Sequence, residues 1–171
     1  QLDTVELELE KLNQELSEID DELFSDDFST KINEQLNKFN VYFSAVSSEL
    51  YGEKYAIKQD KVIKKGRRLY QFTAFNTNFS SGKKQGEISC FDIAYTLFAD
   101  DENIPCMHFL LNDKRELMHD NQLLKISKLV KKEGIQFVAS ILKDKLPTGL
   151  DKPDYIVVEL SQEDKLFRIE K

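Results

Sequence analysis

The chain of 171 residues is long enough for one core-bearing domain plus an appendage, and its twelve Phe and six Tyr supply aromatic core material without any Trp. The formal net charge is −7, yet residues 1–27 alone hold eleven acids and a single base, Lys11, so the body that follows is mildly basic and the global acidity does not exclude a nucleic-acid partner. Two cysteines, Cys90 and Cys106, give neither a disulfide framework nor a zinc spacing, and the lack of a long apolar run or a basic-then-apolar leader argues against a membrane span and predicts a cytoplasmic protein.

Leu2, Val5, Leu9, Leu12, Leu16, Ile19 and Leu23 alternate spacings of three and four. That is a heptad seam, with Leu at the a positions and Val5, Leu12 and Ile19 at d. The positions between are mostly acids, amides and Lys, with no Gly or Pro. The spacing predicts a coiled-coil arm over residues 1–26; the alternative is an amphipathic helix packed on its own domain. The pattern is already running at Gln1, so a longer arm upstream is expected and the chain is read as a fragment. Ser25-Asp26-Asp27 interrupts the seam and offers N-cap oxygens. A second helix follows, with Phe28, Ile32, Leu36, Phe39, Phe43, Val46 and Leu50 on one face and Gly52 as its stop. It leads into a body spanning 27–171.

Tyr55-Ala56-Ile57 and Arg68–Phe75 read as strands rich in β-formers. The bases between them, Lys58, Lys61, Lys64, Lys65 and Arg67, form either a solvated hairpin loop around Gly66 or a cluster for nucleic acid. Asn76 to Glu87 is a polar loop containing Ser81-Gly82 and Gly86. It opens a helix from Ile88 to about Ala99, with Ile88, Phe91, Ala94, Tyr95 and Phe98 as the expected buried face. Such a loop presents free backbone N–H groups and the positive end of the helix dipole, a natural anion site. No stretch fits the phosphate-cradling pattern G-x-x-x-x-G-K-[ST].

Met107 to Leu111 is an apolar run, too short for a helix, that ends in Asn112 and Asp113 and reads as a buried strand. Asn121–Lys132 is predicted helical, with Leu123, Leu124, Ile126, Leu129 and Val130 inward and Gly134 as its end. Ile135–Ile141 is the next buried strand, so the three make a parallel, right-handed βαβ unit. Pro147 and Gly149 mark a turn, and Tyr155–Leu160 with Leu166–Ile169 suggest a closing hairpin. A carboxylate at the C-terminal end of a parallel strand stands where α/β folds bind ligands. Asp113, with Glu116 and Asp120 next in line, offers the hard oxygen ligands that suit Mg²⁺ on nucleotide phosphates. The alternative for Asp113 is a cap on the following helix. Cys106, His108 and His119 are also metal-ligand types, but the first two open the strand while His119 and Asp113 lie beyond its far end, so no shared site is expected.

This order of elements resembles the C-terminal half of an ABC-type ATPase head of the SMC/RecN/RecF kind. It is also similar to a bacterial domain family of unknown function, number twenty-three twenty-six, found at the C-terminus of coiled-coil ATPases related to chromosome segregation or DNA repair. The resemblance covers nearly the whole chain. It rests on Ser81-Gly82, Phe91-Asp92, Phe109-Leu110-Leu111-Asn112-Asp113, Asp120-Asn121-Gln122, Gln136-Phe137-Val138 and Lys145-Leu146-Pro147. It implies an α/β fold, in which an N-terminal coiled-coil helix leads into a mixed sheet with a βαβ core, as half of a P-loop NTPase domain. Asp113 would be the Walker B carboxylate, holding Mg²⁺ through water. Ser81 and Gly82 would form the signature loop that touches the γ-phosphate of ATP on the opposite head, with Gly86-Glu87 as a rival placement. Asp120 would be the D-loop acid at the head–head interface.

Two departures bear on catalysis. Lys114 stands where the catalytic Glu usually follows, leaving Glu116 as its candidate substitute beside Asp113. The switch His is absent, the region reading Ser140-Ile141-Leu142-Lys143. The resemblance places the Walker A on the N-terminal half of the same protein, so ATP and Mg²⁺ should bind only with that half, and this chain alone should be inactive. The implied partners are that half, a second copy through head and coiled coil, and DNA. The implied role is DNA maintenance: repair, segregation or defence. The alternative, which the missing Glu and His favour, is a non-catalytic coiled-coil docking module.

Overall fold

The computed structural model describes residues 2–76, 84–113 and 120–161 of a mixed α/β chain. It divides into two compact units, residues 1–107 and 108–171. The first holds α1 (Leu2–Leu23), α2 (Asp26–Tyr51), the strands β1 (Tyr55–Lys64) and β2 (Arg67–Asn76), and α3 (Lys84–Asp101). The second holds β3 (Phe109–Asn112), α4 (Asp120–Lys132), β4 (Gln136–Ala139) and two short 3₁₀ turns, Lys143–Lys145 and Pro153–Tyr155.

The seam residues of α1 form one continuous helix, as their spacing predicts. Its seam is exposed from Val5 to Leu23. The helix breaks where the sequence changes to Ser25. The Ser25 hydroxyl donates to Glu22 C=O (2.7 Å) and accepts from Phe28 N–H (3.2 Å), closing α1 and capping α2 with one side chain. Asp26 and Asp27 then sit in the first turn of α2, where the helix dipole favours acids. Gly52, at φ +71°, donates its N–H to Ser48 C=O and ends α2.

Phe39, Phe43, Val46 and Leu50 of α2 are buried, together with Cys90, Ile93, Ala94, Phe98 and Ala99 of α3 and Tyr55 of β1. The Phe39 ring lies 5.5 Å from Phe43, 5.2 Å from Phe91 and 5.8 Å from Phe98, within the range of favourable tilted and edge-on ring contacts. The inward face of α3 differs from the expected one. It runs through Gly86, Ser89, Cys90, Ile93, Ala94 and Phe98, while Ile88, Phe91 and Tyr95 are partly exposed. Apolar residues occur on several sides of α3, so periodicity alone could not select the side on which small residues let α2 approach.

β1 and β2 form a ten-residue ladder on each strand, from Tyr55 opposite Asn76 to Lys64 opposite Arg67. The expected basic loop is therefore mostly strand. Only Lys65 and Gly66 turn, both left-handed (φ 51° and 75°), the two-residue geometry whose twist matches a hairpin. Two side chains of α2 tie the ribbon down. The Asn40 amide donates to Ile57 C=O (2.8 Å) and accepts from Ile57 N–H (2.7 Å), and Tyr55 N–H donates to the Ser47 hydroxyl (2.9 Å).

In the second unit, β3 and β4 are parallel neighbours, as the βαβ reading requires. Two other expectations are corrected. The run from Met107 is not a buried strand: Met107 is 82 % exposed, Leu111 73 % and Phe109 43 %. Among the described residues the sheet has two strands, and the face that carries Phe109 and Leu111 is exposed. Tyr155–Leu160 is not a strand either. A 3₁₀ turn covers Pro153–Tyr155, and Val157 beyond it is 85 % exposed. β-propensity alone does not make a strand. The other half of the expected hairpin, residues 166–169, lies outside the described residues.

Candidate functional site

β3 and β4 run in register from Phe109 opposite Gln136 to Asn112 opposite Ala139. Gln136 N–H donates to His108 C=O (2.8 Å) and Ser140 N–H to Asn112 C=O (2.9 Å), extending the ladder at both ends. The carboxyl ends of both strands therefore share one edge, where Asp113 and Ser140 emerge, both exposed. α4 fills the crossover with Leu123, Ile126, Leu129 and Val130 buried. Gly134 (φ +67°) and the bond from Ile135 N–H to Val130 C=O (2.8 Å) stop the helix and turn the chain into β4.

Asp113 thus stands at the edge where open α/β sheets bind ligands. As an exposed carboxylate it can accept hydrogen bonds or hold a hydrated hard cation, but it supplies one ligand group where Mg²⁺ wants six oxygens, the rest coming from water and phosphate. Next to it is a residue that the sequence reading passed over. Asn112 is only 4 % exposed, and its Nδ2 has no hydrogen-bond partner. A buried amide donor left unmatched is costly, so it marks a place where an acceptor belongs. The sequence signal was there, an amide closing an otherwise apolar run.

Of the other predicted site residues, Asp120 opens α4. Ser81, Gly82 and Glu116 lie outside the described residues. The rival loop placement, Gly86-Glu87, falls inside α3 instead. Gly86 is buried there beneath Tyr51: a Cβ at this position would lie 2.5 Å from the Tyr51 ring, so close packing accounts for this glycine.

The hairpin bases divide into two groups. Lys58 pairs with Asp60 (3.0 Å). Lys61 donates to Phe24 C=O (3.1 Å) and lies over the Tyr70 ring, and Arg68 binds Asp20 (2.5 and 2.8 Å) and Asp21 (2.8 Å). These three make contacts within the chain. Lys64, Lys65 and Arg67 stand exposed at the tip. Cys90 is not a candidate nucleophile. Burial, with the Glu87 carboxylate adding to it, pushes its thiol up to about 12, and the thiolate is the reactive form.

No helix among the described residues is long and apolar enough to cross a membrane. No curated protein matches the chain. Residues 46–171, from within α2 onward, match a bacterial family described as uncharacterised conserved proteins, DUF2326, and the chain belongs to that family.

Proposed function

We propose that this chain is the C-terminal part of a coiled-coil ABC-type ATPase head of the SMC/RecN kind, acting in DNA maintenance, and that it supplies Walker B and D-loop carboxylates to a nucleotide site completed by another segment. The observation that carries this reading is the two-stranded parallel sheet with an open apolar face and Asp113 at its carboxyl edge. Parallel sheets are normally covered on both sides, so exposed Phe109 and Leu111 ask for further strands and cover. The heptad helix joined to a globular body fits the same plan.

In this reading Asp113 would help hold Mg²⁺, which when bound would supply charge neutralisation to the phosphates. The orphaned Asn112 amide donates to an acceptor brought by the completing segment. Asp120 would belong to the interface with the second head, and Ser81-Gly82 would meet the nucleotide held there. Lys114, in place of a carboxylate, cannot take a proton from the attacking water, so hydrolysis is slow and the assembly acts as a clamp.

The test pairs this chain with the N-terminal half of its protein. The expected result is no nucleotide binding by the chain alone, ATP-dependent association when both halves are present, and a loss of Mg-nucleotide affinity of roughly tenfold to a hundredfold on Asp113→Asn. No ATP-dependent association in the reunited protein would overturn the ATPase reading in favour of the docking module.

A further inference from the structure

Helix α1 carries an apolar seam that the described residues leave uncovered: Val5, Leu9, Leu12, Leu16 and Ile19 are all more than half exposed. The residues that flank this seam say what belongs on it. With Leu9, Leu16 and Leu23 at a, the e positions are Glu6, Asn13 and Asp20 and the g positions are Glu8, Glu15 and Glu22. Every ionisable flank is acidic. Lys11, the one base of the arm, sits off the seam and faces Glu15 of its own helix at 3.8 Å. Side chains at e and g meet the partner's e and g, and they set which helix is accepted.

A second copy of this chain fits badly in either orientation. In a parallel pair Glu15 would meet Asp20, which Arg68 already holds, and Glu8 would meet Asn13, so the flanks add no new ion pair. In an antiparallel pair, e would meet e and g would meet g, acid against acid. Neither arrangement contains an attractive flank pair within these heptads.

We infer that α1 is a docking surface for a separate amphipathic helix with a Leu/Ile heptad seam flanked by Lys or Arg, and that it rejects a second copy of itself at neutral pH. The inference stands on the arm alone and does not depend on the nucleotide reading. Specificity comes from the flanks and binding from the seam. Salt therefore weakens the complex by screening the flank pairs, which are exposed.

The test uses the full chain and two synthetic helices with the same Ile/Leu seam, one with Lys at every e and g position and one with Glu. Sedimentation equilibrium at neutral pH is expected to show the chain alone as a monomer. The Lys peptide should form a one-to-one complex that weakens with added salt, and the Glu peptide should bind about tenfold or more weakly. Leu12→Asp, at an exposed position, should abolish the complex while leaving the thermal unfolding of the α2–α3 core unchanged. A neutral-pH dimer of the chain that Leu12→Asp dissolves would overturn the inference. So would equal binding of the two peptides, or binding of neither.

Discussion

Asn40 of α2 acts as a one-residue strand, donating to and accepting from the backbone of Ile57 as a neighbouring strand would. The Ser47 hydroxyl accepts from Tyr55 N–H and donates to Ser44 C=O. Both are polar residues on a helix face that otherwise reads as core, and the backbone groups of the ribbon explain their presence. Burial beside them also sets a pH limit. Cys90 is pushed up to about 12 from 9.0, and Tyr55 to about 12 from 10.0, chiefly by burial, with the Glu87 and Glu53 carboxylates adding. Both groups are neutral below their ordinary values in either state. Above those values the unfolded chain gives up its protons first, so unfolding is favoured as pH rises. Stability measured by urea unfolding should be flat up to about pH 9 and fall steadily toward 12. Cys90→Ala should lower stability throughout but make the alkaline slope shallower.

At the scale of elements, the hairpin turn is the easiest to improve. Lys65 holds a left-handed conformation that Asn tolerates better, next to a Gly that already suits its place. Lys65→Asn should raise stability by a few tenths to about 1 kcal/mol, read as a shift in the denaturant midpoint at constant slope. How far sequence could foresee these elements depended on whether their cause was local. α1, the Ser25 cap, the Gly52 stop and α4 were legible because spacing and capping chemistry lie within a few residues of one another. The extent of the hairpin was not, since its lysines look like a loop until the two-residue turn fixes the register. The inward side of α3 depended on which neighbour it met. At the candidate site, Asp113 was legible from the end of an apolar run, whereas the burial of Asn112 needed the crossover helix in place.

At the scale of the whole molecule, the two units differ in how completely they are built. The α2–α3 core is closed by aromatic contacts and by side-chain bonds to the ribbon. Among the described residues the β3–β4 sheet has one ladder, and Phe109 and Leu111 on it are exposed. Its amides should therefore exchange with deuterium well ahead of those in the middle of α2 and α3, and hydrogen exchange on the intact chain checks this directly. Slowing of that exchange on adding the N-terminal half proposed above would report completion of the sheet.

The joint at Ser25 has a mechanical consequence. Tyr70 donates its hydroxyl to Leu23 C=O (2.8 Å) and stacks on Phe24 (4.8 Å), while Arg68 grips Asp20 and Asp21. A helix break that would otherwise swivel is thereby braced by the ribbon. A tug on the rod is felt first at the hairpin, and because the Arg68 half of the brace is ionic and exposed, ionic strength sets how stiff the joint is.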